Sequence, residues 1–232
     1  MFDIDENVRR MAREHPVPYR AWALLHRKKL PQRGDALYLD GYPRSGNTYF
    51  TALIRRLDSR IAFADHLHCV APIKIALKAG VPTFILVRTP EDTVLSHMVH
   101  LEQFGRKSKR INANPRRHAE RLLDNWIRYY WFVDRHRKQL KVILSDRAFK
   151  KPIREVERMF ETACVAKGVD FNDRLKQIHT EFVARDASKA QGSTSYPSEE
   201  RERMKNWYRA CLEEAHGLAR ARQLYLAMAS RV

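Results

Sequence analysis

The sequence predicts an α/β fold in which a parallel sheet is flanked by helices in a three-layer arrangement. Two short apolar runs, 36–40 and 83–87, are each followed by a turn and then by a helical pattern, which is the order of a sheet built from right-handed crossovers. A chain of 232 residues has the length of one domain. We therefore expect residues 1–232 to form a single domain, with a helical segment over 1–33 packed on it.

Apolar periodicity and the residues that begin or end each segment predict the remaining elements. Gly80 ends one helix and Pro197 opens the last. In chain order we expect helices over 4–14 and 18–29, strand 36–40, helix 47–57, strand 61–64, helix 71–78, strand 83–87, a basic turn-rich stretch 103–117, helix 118–137, strand 140–144, helix 152–167, a helix from about 172, a loop over 185–195 and a last helix that continues beyond 225.

The composition indicates a globular protein with an anionic partner. Lys and Arg number 44 against 27 Asp and Glu, a formal net charge of +17, and such a surface attracts nucleotides, acidic acceptors, nucleic acid or membranes alike. The three cysteines are scattered at Cys69, Cys164 and Cys211, a pattern that predicts neither a disulfide framework nor a metal site. Because the chain shows no secretory signal and no apolar run of about 20 residues, we expect a cytoplasmic protein without a transmembrane segment.

A phosphate-binding loop is predicted between the first strand and the helix that follows it. Gly41 and Gly46 stand five residues apart and Thr48 follows, so that successive backbone N–H groups and a helix N-terminus would face the turn. The lysine that usually reaches the β- and γ-phosphates of a nucleoside triphosphate is replaced by Asn47, and the cation is instead Arg44. The loop thus predicts a 5′-phosphate-type group rather than a triphosphate.

A second anion site is predicted after strand 83–87. Arg88 emerges at the carboxyl end of that strand, where ligands bind in open α/β sheets. Pro90 begins a helix, and Ser96 lies about one and a half turns into it. An arginine and a hydroxyl at this spacing can hold a second phosphate group.

The two motifs together resemble those of the sulfotransferases that use 3′-phosphoadenosine 5′-phosphosulfate (PAPS). The segment 42–49, Tyr-Pro-Arg-Ser-Gly-Asn-Thr-Tyr, is similar to the family's 5′-phosphosulfate loop, and 86–96 is similar to its 3′-phosphate motif. The family commonly has Lys at the position of Arg44 and Thr at that of Asn47. The resemblance implies a P-loop fold, a PAPS donor, adenosine 3′,5′-bisphosphate as product and no metal.

The resemblance also implies roles for the residues of both motifs. The donor's 5′-phosphosulfate would be bound by Arg44, Ser45, Gly46, Asn47 and Thr48, and its 3′-phosphate by Arg88 and Ser96. Arg44 would in addition stabilise the leaving phosphate. A late basic loop of the family closes on the 3′-phosphate, and Lys189, with Arg185 as the alternative, is its counterpart here.

Histidine is the natural base for removing a proton from an acceptor hydroxyl. The segment 65–68, Asp-His-Leu-His, follows the predicted strand 61–64. His66-Leu67 resembles the His-Leu of the family's base segment, which implies that His66 is catalytic. The residues leave His68 open as the base, with a structural role for both histidines as a further alternative.

Two other functions remain open from the sequence. A P-loop kinase would use Arg44 at the phosphates and Asp65 for Mg²⁺, and a non-catalytic nucleic-acid-binding module would need only the basic surface. The acceptor of a sulfotransferase is not identified by the residues, although the net charge and the basic stretch around 106–117 suggest an anionic molecule. The aromatic run 126–132 predicts either an acceptor pocket or a helix buried on two faces.

Overall fold

The fold is α/β, with a parallel sheet between layers of helices. The computed structural model describes residues 14–26, 29–57, 68–104, 114–188 and 199–232. Its three strands are β1 (Tyr38–Gly41), β2 (Thr83–Val87) and β3 (Lys141–Leu144), in the order β1-β2-β3 with both pairs parallel. Each crossover between neighbouring strands contains helices, as a parallel pair requires.

One helix precedes β1 along the chain, and the other described helices follow it. They are α1 (Pro16–Leu25), α2 (Asn47–Leu57), α3 (Val70–Ala79), α4 (Pro90–Phe104), α5 (Pro115–Arg135), α6 (Ser145–Lys150), α7 (Pro152–Thr162), α8 (Phe171–Ser188), α9 (Glu199–Glu213) and α10 (Leu218–Ala229). In the described part of the chain, none of them is both long and apolar enough to cross a membrane.

Side chains of alternating residues in the sheet enter two separate cores. On one face, Ile85 and Val87 of β2 pack with buried residues of α4, α5, α9 and α10. On the other face, Phe84 and Leu86 pack with α2, α7 and α8. Successive strand residues point to opposite faces of a sheet, so a strand in which every residue is buried must be covered on both sides. All five residues of β2 are buried. The predicted three-layer arrangement is confirmed.

Local signals predicted several element bounds well. The helix over 47–57 and the strand over 83–87 have the predicted limits. Gly80 ends α3 with a left-handed φ of 71°, as expected of a glycine after a helix. The predicted strand 61–64 and residues 4–13 of the predicted helix 4–14 lie outside the described residues.

The prediction of one continuous last helix was wrong. The chain forms α9 and α10, and Gly217 between them has a φ of 94° that an α-helix does not contain. Ala215 and Leu218 pack in the same core on either side of the break. The apolar stripe therefore continues across the break, which is why periodicity alone does not detect it.

Other predicted bounds were wrong at helix ends. Residues 185–188, which were predicted to begin a loop, belong to α8, and residues 189–198 are not described. None of residues 185–188 is a Gly or Pro that would end the helix. The predicted helix 152–167 stops at Thr162, and Cys164 has a left-handed φ of 53°. The turn-rich stretch 103–117 is helical at both its ends, since α4 ends at Phe104 and α5 begins at Pro115; residues 105–113 are not described.

Candidate active site

The predicted phosphate-binding loop connects β1 to α2 at the carboxyl edge of the sheet. Gly41 passes so close to the neighbouring strand that a Cβ there would lie 2.6 Å from the carbonyl oxygen of Leu86. Gly46 has a φ of 96°, and a Cβ there would lie 2.6 Å from the ring of Phe149. Both glycines are therefore required by the path of the backbone.

Asn47 closes the loop from inside. Its side chain is buried, and its Nδ2 donates to the carbonyl oxygens of Gly41 (2.9 Å) and Tyr42 (3.4 Å). The side chain that replaces the usual lysine thus stabilises the loop conformation, and cationic contact with a ligand falls to other residues.

The two sequence motifs meet at Arg44. Its Nε donates to Ser96 Oγ (3.1 Å), and Arg88 donates through Nη1 to the backbone carbonyl of Arg44 (3.3 Å). Arg88 also lies 3.7 Å from Asp92 one turn into α4. Residues separated by more than forty positions in the chain are thereby gathered at the adjoining ends of β1 and β2, as predicted for the carboxyl edge of the sheet.

Arg44 is held in a strained and electrostatically unfavourable position. Its φ of 74° lies in the left-handed region, which disfavours side chains other than glycine by about 1–2 kcal/mol. Burial, with the positive charges of Arg201 and Arg88, lowers the pKa of its guanidinium to about 10. Backbone strain together with clustered like charges is typical of a functional site.

Tyr130, on α5, fixes the loop through its hydroxyl. The hydroxyl donates to the carbonyl of Leu86 (2.7 Å) and accepts from the backbone N–H of Tyr42 (3.1 Å). Ser45 Oγ lies 3.0 Å away and must donate to it, since the hydrogen of Tyr130 is already used. Ser45 is fully buried, and its backbone N–H donates to the carbonyl of Tyr42 (3.1 Å), so both groups hold the loop in place.

His68 lies beside the loop and is oriented by Asp40. Its Nδ1 is 2.7 Å from the carbonyl oxygen of Gly41 and 3.4 Å from Oδ1 of Asp40, a fully buried carboxylate. Because the carbonyl can only accept, Nδ1 carries the hydrogen, and the lone pair of the neutral ring is on Nε2. Burial lowers the pKa of His68, but the hydrogen bond and charge of Asp40 and the Gly41 carbonyl outweigh it and raise the pKa.

The Asp40 carboxylate also anchors its surroundings. It accepts from the hydroxyl of Tyr38 (2.7 Å) and from the backbone N–H groups of Gly41 (2.8 Å) and His68 (3.3 Å). These donors compensate for its burial. The imidazole of His68 is consequently held by a network that belongs to β1 rather than to its own segment.

Some of the predicted site residues lie outside the described part of the chain. Thr48 is exposed in the first turn of α2, next to the buried Asn47. His66, Asp65 and Lys189 lie outside the described residues, and only the backbone of Arg185 is described, in α8. Of the base candidates, the structure therefore describes His68.

Two contributors were missed by sequence reasoning. Tyr130 was considered only as part of an aromatic run that predicts either an acceptor pocket or a helix buried on two faces. It is fully buried, as are Trp126 and most of that run, but its hydroxyl reaches the loop. Arg201 of α9 is 5% exposed, and its charge acts on Arg44. The sequence of this polar helix does not indicate which of its arginines is buried, and only the tertiary structure identifies Arg201.

Two imidazoles of α4 lie near Arg44. His97 packs edge-on against the ring of Tyr42, with centroids 6.2 Å apart. Burial, together with the charges of His100, His118, Arg44 and His68, lowers its pKa to about 3. Burial and the charges of Arg44 and Arg201 also lower the pKa of His100. Among the described residues, no three His, Cys, Asp or Glu side chains are grouped so as to hold a metal ion.

No model of a known protein family matches the chain, and no curated protein matches it. Among solved structures, the chain is similar to a mouse sulfotransferase crystallised in complex with PAP. The identity is 14%, the alignment covers 87% of this chain and 91% of that one, and the TM-score is 0.48. A likeness at this level carries no inference about ligand or reaction.

Proposed function

We propose that the protein transfers a sulfuryl group from PAPS to an acceptor hydroxyl. The observation that carries the proposal is the meeting of the two motifs at Arg44, which contacts Ser96 through its side chain and Arg88 through its backbone. The loop and the start of α4 thus offer two adjacent anion sites. A donor with phosphate groups on both its 5′ and 3′ positions requires two such sites.

The donor is bound by backbone and side-chain groups of different kinds. The N–H groups of Gly46, Asn47 and Thr48, with the Thr48 hydroxyl, bind the 5′-phosphosulfate at the N-terminus of α2. Ser45 shapes the loop around it, since its N–H donates to Tyr42. Arg88 and Ser96 bind the 3′-phosphate, and Lys189 closes over it from the late loop. Because Asn47 has no cation to offer, Arg44 is the group that neutralises charge at the bridging oxygen.

In the reaction, the acceptor oxygen attacks sulfur in line and the bond between sulfur and the 5′-phosphate oxygen breaks. A histidine takes the proton of the hydroxyl, and adenosine 3′,5′-bisphosphate leaves with the charge stabilised by Arg44 and the loop amides. The motif resemblance favours His66 as the base. The contact with Asp40 favours His68, whose Nε2 carries the lone pair when the ring is neutral.

Single replacements distinguish the two histidines. His66→Ala should abolish turnover while leaving nucleotide affinity unchanged, because an imidazole is needed for the proton and not for the phosphates. His68→Ala should lose activity more than about a hundredfold, with unchanged nucleotide affinity, only if His68 is the base. Steady-state kinetics with calorimetric binding of the bisphosphate separates the two outcomes.

Nucleotide selectivity tests the proposal itself. Adenosine 3′,5′-bisphosphate in EDTA, at a hundred times its dissociation constant, should stabilise the fold by about 2.7 kcal/mol and raise Tm by roughly 5–10 °C. ATP with Mg²⁺ should raise it much less, since ATP has no 3′-phosphate. A larger shift with ATP and Mg²⁺, and none with the bisphosphate, would replace the proposal by a kinase.

A further inference from the structure

Basic and imidazole side chains continue along α4 beyond the residues that the donor would use. Arg201 of α9 is 5% exposed and donates through Nη1 to Oε1 of Gln103 (3.3 Å) near the end of α4. Next to it, the hydroxyl of Tyr208 donates to Glu102 (2.8 Å). These two contacts hold Arg201 against the last turns of α4 and fix where its charge lies.

The ends of this row are too far apart to bind one phosphate group. Ser96 and Gln103 are separated by seven residues, which corresponds to a rise of about 10 Å along the helix. Arg88 lies on the far side of Ser96, before the helix begins. Arg44 contacts Ser96 through Nε (3.1 Å) and accepts from Arg88 at its carbonyl (3.3 Å). The charge of Arg201 also acts on Arg44. The row is therefore long enough for two anionic groups, with Arg44 near both.

The second subsite combines three side chains. His100 is one turn beyond Ser96 on α4, and Arg44 and Arg201 are the charges that act on it. Glu202 is an acid whose charge acts on Arg201, and it also lies 2.6 Å from Lys205 Nζ. An oxyanion bound among the three side chains would interact favourably with all of them.

We propose that Arg201 and His100, with Arg44, bind an anionic group of the acceptor. This inference rests on the proposed function, in which the loop and the pair Arg88 and Ser96 already account for both anionic groups of the donor. The acceptor is then a molecule that carries a carboxylate, phosphate or sulfate close to the hydroxyl that receives the sulfuryl group.

The test measures anion binding to the complex with adenosine 3′,5′-bisphosphate, so that the donor subsites are filled. Inorganic phosphate is titrated against chloride at matched ionic strength, and Tm is followed for the wild type, Arg201→Gln and Arg209→Gln. Arg209 is exposed on the same helix and serves as the matched control. Phosphate can also fill the place that the sulfuryl group leaves beside Arg44, so the decisive quantity is the difference between variants.

At phosphate concentrations about ten times the dissociation constant, Tm should rise by about 3 °C or more in the wild type and Arg209→Gln. In Arg201→Gln most of that rise should be lost, while affinity for the bisphosphate stays within about threefold. An equal rise in all three proteins overturns the inference. A tenfold loss of bisphosphate affinity in Arg201→Gln also overturns it, because Arg201 would then be a donor ligand.

Failure of the proposed function has a different signature: the wild type does not bind the bisphosphate at all. If Arg201→Gln does not fold, as judged by circular dichroism, His100→Asn takes its place. That variant removes the imidazole of the same subsite and should reduce the same phosphate-dependent rise in Tm.

Discussion

The buried imidazole of His97 should make the protein sensitive to acid in a defined pH range. Its Nδ1 is buried and has no hydrogen-bond partner among the described residues. The groups around it, His100, His118, Arg44 and His68, are all basic, and together with burial they lower its pKa to about 3. A protonated His97 would therefore have no compensating negative charge from these neighbours.

The sign and size of the effect follow from this lowered pKa. In the unfolded chain His97 takes up a proton near pH 6.5, whereas in the folded protein it does so only near pH 3. Below pH 6.5 the unfolded state binds more protons, so stability falls as pH falls. At pH 5, one and a half units below the unfolded pKa, the loss is about 2 kcal/mol relative to pH 8.

Urea unfolding of the wild type and of His97→Gln at both pH values measures this contribution. Gln keeps a polar side chain of similar reach but does not titrate, so any loss of packing is the same at both pH values. The stability of the wild type relative to the variant should decrease by about 2 kcal/mol from pH 8 to pH 5. A relative stability that does not change with pH would show that native His97 titrates normally and would refute the reasoning.

Three further perturbations test the loop. Arg44→Gly should be more stable to urea than Arg44→Ala by about 1 kcal/mol, because only glycine accepts the φ of 74° without strain; the reverse order would contradict this loop geometry. Tyr130→Phe should lower the free energy of unfolding by about 2 kcal/mol, since the buried carbonyl of Leu86 loses its donor; a thermal denaturation curve unchanged from wild type would exclude that role. His68→Asn should cost more stability at pH 5.5 than at pH 8.5. The pKa of His68, raised beside Asp40, stabilises the fold below about pH 6.5, and that gain is lost as pH rises through the folded pKa. An equal loss of stability at both pH values in urea unfolding would argue against the contact.

Local sequence signals were sufficient for the elements that carry the proposed donor site. The loop after β1 is specified by Gly41 and Gly46, and the start of α4 by Pro90, all within short segments. Parallel-sheet topology then brings the ends of β1 and β2 together. The meeting of Arg44 with Ser96 was predictable in outline for this reason, although the hydrogen bond itself was not.

The rest of the site depends on contacts that no local pattern encodes. Tyr130 reaches Ser45 across 85 positions of the chain, and Ser145 donates to the carbonyl of Ser45 across 100 positions. Arg201 lies on a helix whose polar sequence predicts exposure, yet it is buried against α4. The sequence shows only that Asn47 replaces the usual lysine of the loop. The structure shows its role, since its buried amide donates to the carbonyl of Gly41 and holds the loop.

The central claim is that Arg88 and Ser96 bind a 3′-phosphate while the loop binds the 5′ end of the same nucleotide. Titration calorimetry in EDTA with adenosine 3′,5′-bisphosphate and with adenosine 5′-phosphate, which lacks the 3′-phosphate, tests it most directly. The wild type and the exposed-site control Arg220→Ala should bind the bisphosphate at least about tenfold more tightly, and Arg88→Ala should lose most of that preference. Equal affinity of the wild type for the two nucleotides, or a preference that survives in Arg88→Ala, would contradict the account.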